Sequence, residues 1–432
     1  MNNQSTIERL TYEKYYCNTS SVFYMENVCN RSTILDINLS SRGLASLPIE
    51  VLNKLMISLD DSEVRSKKMA SLESDQPFNS LSELEYLAIR NHNISHLPQD
   101  IFNGLVLLHI LEIDSNELTG VELNTFHSLS KLECLTIRNN NNLTHLPQDI
   151  FKELTSLTIL ILDLNKLTSL ENNIFNSLPK LEYLSISRNN LTSLSQGIFN
   201  ELKSLKYLKL NYNKLSSLKK NTFHGLSSLT SLYINYLDIS NNNLTSLRQK
   251  VFNGLELLTE LYLQSNKLTI IEPNTFNTLS ELEFLDISDN NLQNFSSKVF
   301  NGLESLTQLY LKSNQLKIIE ANTFNKLVNL EVLDISNNTL TSLPQEVFNG
   351  LKSLTLLSLN SNKLTDLEPN IFKNLIDLDY LNIGDNSLRY LPQKLFSGLK
   401  LLRSLYLNSN LLTSLQSDIF NNLANLKLLD IS

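Results

Sequence analysis

The chain has 432 residues, 41% of them hydrophobic, with a net charge of −8 and an isoelectric point near 5.4. No long basic run is present, so the electrostatic footprint of a nucleic-acid binder is missing; glycine is scarce, which argues against phosphate-cradling loops, and no run of 18 apolar residues is available to cross a membrane. A chain of this length is expected to form several domains or one elongated array.

The first residues, MNNQSTIERLTYEKYYC, contain no apolar core of the kind a signal peptide needs. Two expectations follow: an intracellular chain, or one whose export signal lies outside this sequence. Residues 34–83 hold two poor copies of a pattern that becomes regular afterwards. Arg42 and Lys67 stand where that pattern later places asparagine, and His92 takes the same place in the next copy.

From residue 84 to 432 one frame of 24 residues recurs, with one extra residue in the Asn run of the copy at Leu132, Asn139 to Asn142: L-x-x-L-x-L-x-x-N-x-L, an apolar position, then Phe and Leu. Copies begin at Leu84, Leu108, Leu132, Leu157, Leu181, Leu205, Ile234, Leu258, Leu282, Leu306, Leu330, Leu354, Leu378 and Leu402. A further copy begins at Leu426 and stops at Ser432 inside a predicted strand, which reads as a truncation. Phenylalanine tests the frame independently. Phe78, Phe102, Phe126, Phe151, Phe175, Phe199, Phe223, Phe252, Phe276, Phe300, Phe324, Phe348, Phe372, Phe396 and Phe420 fall in one column, and only Phe23, Phe284 and Phe295 lie outside it. Such a column predicts a buried spine. A second period of two copies suggests growth by duplication in pairs. The segment TSLYI, between Leu229 and Asn235, adds five residues and predicts a bulged loop or a step in the array.

Within each copy, L-x-x-L-x-L alternates with period two and predicts a short strand. Leu261 and Leu263 point inward; Glu260, Tyr262 and Gln264 point the other way. No copy can bury its leucines alone, so neighbouring strands must pair in parallel and stack into a solenoid. The asparagine after each strand, as at Asn266, Asn290, Asn314, Asn338 and Asn362, is suited to satisfy backbone groups where the chain leaves the sheet. The strand side is the crowded one, so the array is expected to curve with the strands on its concave face.

This frame resembles the 24-residue leucine-rich repeat of extracellular animal proteins, including Toll-like receptor ectodomains, leucine-rich-repeat receptors coupled to G proteins, and secreted matrix or adhesion proteins. The segment CNRSTILDINLSSRGLASLP, Cys29 to Pro48, is similar to the join between the family's cysteine cap and its first repeat. The usual cap has four cysteines and this one offers Cys17 and Cys29. The resemblance implies an α/β-type repeat solenoid, a horseshoe with an irregular or short-helical convex side. It also implies a cap at 1–33, degenerate first repeats at 34–83, regular repeats at 84–432, and a disulfide between Cys17 and Cys29. Two reduced thiols in a cytosolic protein are the competing reading of that pair.

Chemistry of the enzymatic kind has no visible carrier. The sequence lacks a P-loop, GxGxxG, HExxH and CxxC. Of six histidines, only His92 and His96 are close, and solvated loop residues explain them better than a metal pair. No enzyme, cofactor or metal is expected. The N-x-S/T triplets, among them Asn93, Asn142, Asn190 and Asn337, suit a secreted protein but also arise freely in a chain this rich in Asn, Ser and Thr.

Outward strand residues supply the candidate binding face. The third frame position reads Tyr86, Ile110, Cys134, Ile159, Tyr183, Tyr207 and Tyr236, with Ile161 joining from the fifth. This predicts an exposed apolar strip roughly 29 Å long, from six strand spacings. The fifth position then alternates Asp238, Tyr262, Asp286, Tyr310 and Asp334, a pattern suited to a basic extended peptide, which duplication in pairs also explains. The expected role is recognition of a protein or peptide on the concave face, without nucleic acid and without a membrane segment. The expected setting is a receptor or adhesion ectodomain at the cell surface or outside the cell; the alternative is an intracellular scaffold in the cytoplasm.

Overall fold

The structure is a computed structural model that describes residues 78, 81–226 and 236–432. The expected cap, its Cys17–Cys29 pair, most of the degenerate repeats and the TSLYI segment lie outside the described residues.

The described residues form a parallel β-solenoid. Fifteen strands, from Tyr86–Arg90 through Ile110–Asp114 and onward to Leu428–Asp430, stand side by side in strict chain order, all parallel. Register follows the frame: Tyr86 pairs Ile110, Leu261 pairs Leu285, and Leu405 pairs Leu429. Pairing also continues past the five extra residues, with Tyr207 opposite Tyr236. The ladder shows no step there. Two short two-stranded ladders, His96–Leu97 with Gly120–Val121 and Ser246–Leu247 with Ile270–Ile271, lie off the main sheet. The convex side is built of turns; among the described residues its one helical element is a single 3-10 turn at His224–Leu226.

One continuous core fills the coil. The strand leucines, such as Leu261, Leu263, Leu285 and Leu309, are fully buried, and the phenylalanines from Phe102 to Phe396 join them. Rings of neighbouring turns stack nearly parallel with centroids 5.7–6.3 Å apart, as in Phe175–Phe199 and Phe252–Phe276. Each ring loses its exposure only because the next turn covers it, so the core is a property of the stack and not of any turn.

Turns are joined a second time at the end of each strand. Asn290 Nδ2 donates to the carbonyls of Leu263 and Ile287, both at 3.1 Å, while its Oδ1 accepts from the Leu268 amide at 2.9 Å. One side chain thus satisfies three buried backbone groups in two turns. The arrangement repeats from Asn189 to Asn386, and Asn242 makes it across the long turn, to Leu210 and Leu215. The residue before each of these asparagines adopts a left-handed backbone, usually as Ser, Asn or Asp, but as Leu164, Arg188 and Tyr212 in three successive turns. His92 fills the asparagine place in the first described turn. It is buried, and neither ring nitrogen has a hydrogen-bond partner.

Off the sheet, glycine sets how closely turns approach. Gly302 has φ +89, and a Cβ there would fall 2.6 Å from the backbone of Asn277 in the preceding turn. Gly254 and Gly350, two turns away on either side, are placed alike, 2.7 Å from the backbone of the turn before.

Candidate functional site on the concave sheet

The outward residues divide into two stretches. In the first, Ile110, Cys134, Ile159, Ile161 and Tyr183 form a small apolar cluster of their own, separate from the main core, with Tyr86 and Tyr207 packed against it. The expected exposed strip is therefore corrected. Ile159 is 2% exposed, and the cluster is closed to solvent except at its tyrosine ends. Strands about 4.8 Å apart hold their outward side chains in van der Waals reach, so a column of branched residues covers itself. Cys134 is a buried thiol within this cluster. Polar groups border it. Arg90 pairs with Glu112 and donates to the Tyr86 hydroxyl at 2.9 Å.

The second stretch is aromatic. Ring centroids run Tyr183–Tyr207 at 6.1 Å, Tyr207–Tyr236 at 6.2 Å, Tyr236–Tyr262 at 4.9 Å, Tyr262–Phe284 at 4.8 Å and Phe284–Tyr310 at 5.4 Å, all tilted. Six rings thus form one unbroken line over six turns, at the third strand position through Tyr236 and then alternating between the fifth (Tyr262, Tyr310) and the third (Phe284). Lys209 lies over this line, its Nζ 5.7 Å from the Tyr183 ring and 5.4 Å from that of Tyr236. The Tyr262 hydroxyl donates to Glu260 at 2.8 Å and that of Tyr310 to Gln308 at 3.1 Å.

Carboxylates are set among the rings. Asp238, Asp286 and Asp334 are each buried, and each accepts a 2.9 Å hydrogen bond from the backbone amide of the serine two residues on, Ser240, Ser288 or Ser336. Burial pushes all three above the usual carboxylate range, Asp286 to about 6. Asp163 is raised for the same reason, although Ser185 and Ser187 both donate to it. Lys209 offsets part of the cost for Asp163 and Asp238, and Lys312 for Asp334. For Asp286 the charged neighbours that count are Asp289 and Asp334, which add to the cost. Burial also raises Tyr183, to about 12, and carries Tyr236 and Tyr262 higher still. None of these hydroxyls ionises near neutral pH, so they serve as hydrogen-bonding groups.

All the outward residues singled out from sequence share this one sheet face. The sequence reading passed over Phe284, Lys209, Asp163 and Gln264, whose Oε1 is buried without a hydrogen-bond partner. Phe284 was legible: it occupies the third frame position, two residues before Asp286. The histidine pair does not act as one unit, since His92 is buried and His96 pairs with Glu122 on the exterior. Among the described residues no group of three or more His, Cys, Asp or Glu side chains is placed to hold a metal.

Fold and face together define a parallel solenoid that presents one continuous sheet of fifteen strands. The chain matches the leucine rich repeat family in eight overlapping segments between residues 82 and 412. It belongs to the leucine-rich-repeat family, in the extracellular-type form that the frame predicts. It is similar to osteomodulin of Bos taurus, 32% identical over 110 residues, 23% of this chain and 25% of osteomodulin. Among solved structures, the TLR13–ssRNA13 complex aligns with TM-score 0.73 and 29% identity over 88% of this chain and 52% of the receptor chain. The Toll–Spatzle complex of Drosophila gives 0.70 and 25% identity over 82% and 49%. A leucine-rich-repeat protein of Leptospira interrogans gives 0.69 and 29% identity over 94% and 93%. The chain thus spans about a quarter of osteomodulin and half of the two receptors, but nearly all of the bacterial protein.

Proposed function

We propose that this chain is a non-enzymatic recognition module that holds a protein or peptide ligand on its concave sheet, as part of a receptor or adhesion ectodomain. The observation that carries the reading is the unbroken line of six aromatic rings from Tyr183 to Tyr310 on the face turned away from the leucine core. The fold needs the leucines and the spine; it does not need aromatic side chains outside them. Rigid aromatic anchors are what protein interfaces concentrate their energy in. Buried carboxylates beside the rings favour a protein ligand and oppose a polyanionic nucleic acid. Toll bound to Spatzle is a similar fold in complex with a partner. Exposed N-x-S/T asparagines at Asn93, Asn142, Asn294 and Asn337 support placement outside the cell; a glycosidase-induced mass shift on the native protein tests it.

The ligand face is tested by photo-crosslinking. Glu260→Cys, on the concave strand, and Ile376→Cys, exposed off the sheet, each carry a photoreactive maleimide in cells that naturally make the chain. A discrete protein adduct from position 260 and none from 376 is the expected result. Adducts only from 376 would move the binding face elsewhere.

A further inference from the structure

Resting on that concave-face reading, we propose that Asp238, Asp286 and Asp334, with the rings between them, form a ruler for an extended cationic segment of a partner protein that carries an arginine or lysine at every third residue.

Strand register places the parts. Asp238 stands opposite Tyr262, Tyr262 opposite Asp286, Asp286 opposite Tyr310, and Tyr310 opposite Asp334, all at one strand position. Phe284 precedes Asp286 on the same strand, and its ring contacts both Tyr262 and Tyr310. Asp286 therefore lies in a three-ring setting. Ring faces attract a cation, and a carboxylate fixes it through a charge-assisted hydrogen bond. Charge complementarity names the occupant. Lys209 and Lys312 act on the outer two carboxylates, while the charged influences on Asp286 are acidic. A bound cation would supply what the chain itself leaves short.

Spacing names its conformation. Carboxylates on alternate strands stand roughly 9.6 Å apart, two spacings of about 4.8 Å. A polyproline II segment rises about 3.1 Å per residue with three residues per turn, so its i and i+3 side chains project from one side about 9.3 Å apart. A β-strand puts same-side residues about 6.8 Å apart and loses register at the first step. A helix, with i and i+7 about 10.5 Å apart, drifts by nearly 2 Å over two steps. A polyproline II segment drifts by about 0.6 Å over the same two steps.

The probes are two fluorescein-labelled 12-residue peptides of one composition, four Arg-Pro-Gln repeats and a version with the four arginines contiguous. Each is titrated into the full chain by fluorescence anisotropy. The repeat peptide should bind at least about tenfold tighter, and Asp286→Asn should weaken it at least about tenfold. Asp366→Asn, the same charge change at an exposed site off the sheet, should not. Asp286→Asn should fold, because Asn382 occupies the same strand position and accepts the same local bond from the Gly384 amide, at 3.0 Å; a thermal melt checks this. Equal binding of the two peptides, or wild-type binding by folded Asp286→Asn, overturns the ruler. If natural adducts from position 260 persist through that outcome, only the ruler falls; if they too are absent, the concave-face reading falls with it.

Discussion

The strands from Tyr86 to Ile161 and those from Tyr236 to Asp334 share one frame, one core and one asparagine ladder, yet their concave faces differ. The first has closed over itself as a second apolar cluster around Ile159. The second is lined by half-buried rings, with Tyr310 buried among them, and holds carboxylates between them at a cost. A sheet that only had to be stable would resemble the first stretch everywhere. On the proposed reading, the departure in the second is where stability is exchanged for recognition.

The spine should be blind to this difference. Phe151→Ala and Phe300→Ala each remove a buried ring, and each should cost about 3–5 kcal/mol in denaturant melts. Unequal losses would mean that the two stretches differ in their core and not only on their concave face. Next in size is the pH response of Asp286. Its carboxyl keeps a proton to about pH 6 when folded, against 3.8 for the ordinary group, so the folded chain binds the extra proton between those values. The contribution of this group is fully present below about pH 4 and is lost as pH rises through 6, by up to about 3 kcal/mol. Asp238, Asp334, Asp163 and Glu260 are raised too and act in the same direction. Subtracting the Asp286→Asn profile isolates its share, and the variant should be the more stable protein at pH 7. A flat difference profile would remove the strain argued for the second stretch.

Ile159→Ala should cost about 2 kcal/mol, at the lower end for a buried isoleucine because the site can relax toward solvent. Ser404→Ala, at the same strand position near the other end, should change stability by less than about 0.5 kcal/mol. A neutral Ile159→Ala would show that the first stretch is not closed. A smaller effect than that of Ile159→Ala belongs between the stretches, where Leu164 takes a left-handed backbone with φ +57. Leu164→Asn, the residue that Asn139 and Asn241 supply there, should raise stability by about 1 kcal/mol in the same melts.

Strand phase, parallel order, the phenylalanine spine and the asparagine ladder were legible in the sequence, because each is a strict period that a single turn cannot satisfy alone. The concave face was legible only as a set of residues. Alternation says that Ile110, Cys134 and Ile159 point outward; it does not say that a column 4.8 Å in pitch closes over itself. Phe284 escaped because phenylalanine had been read as one column, and its neighbours across the strands, Tyr262 and Tyr310, belong to the other strand position. The cost borne by Asp286 needs burial and neighbouring charge together, and neither is written in the frame.

The glycines off the sheet have a consequence for that face. Hydrogen bonds fix the pitch of the strands, but the pitch of the opposite limb depends on what stands between turns, and the ratio of the two sets the radius of the arc. At Gly302 the gap is already too small for a methyl group. Gly302→Ala would wedge the outer limb open, bend the horseshoe more tightly and draw the tips of Asp238 and Asp286 together, since the Gly302–Asn277 approach lies between the turns that carry them. The distance between two carboxylates on the inside of the curve is thus gauged by an absent side chain on its far side.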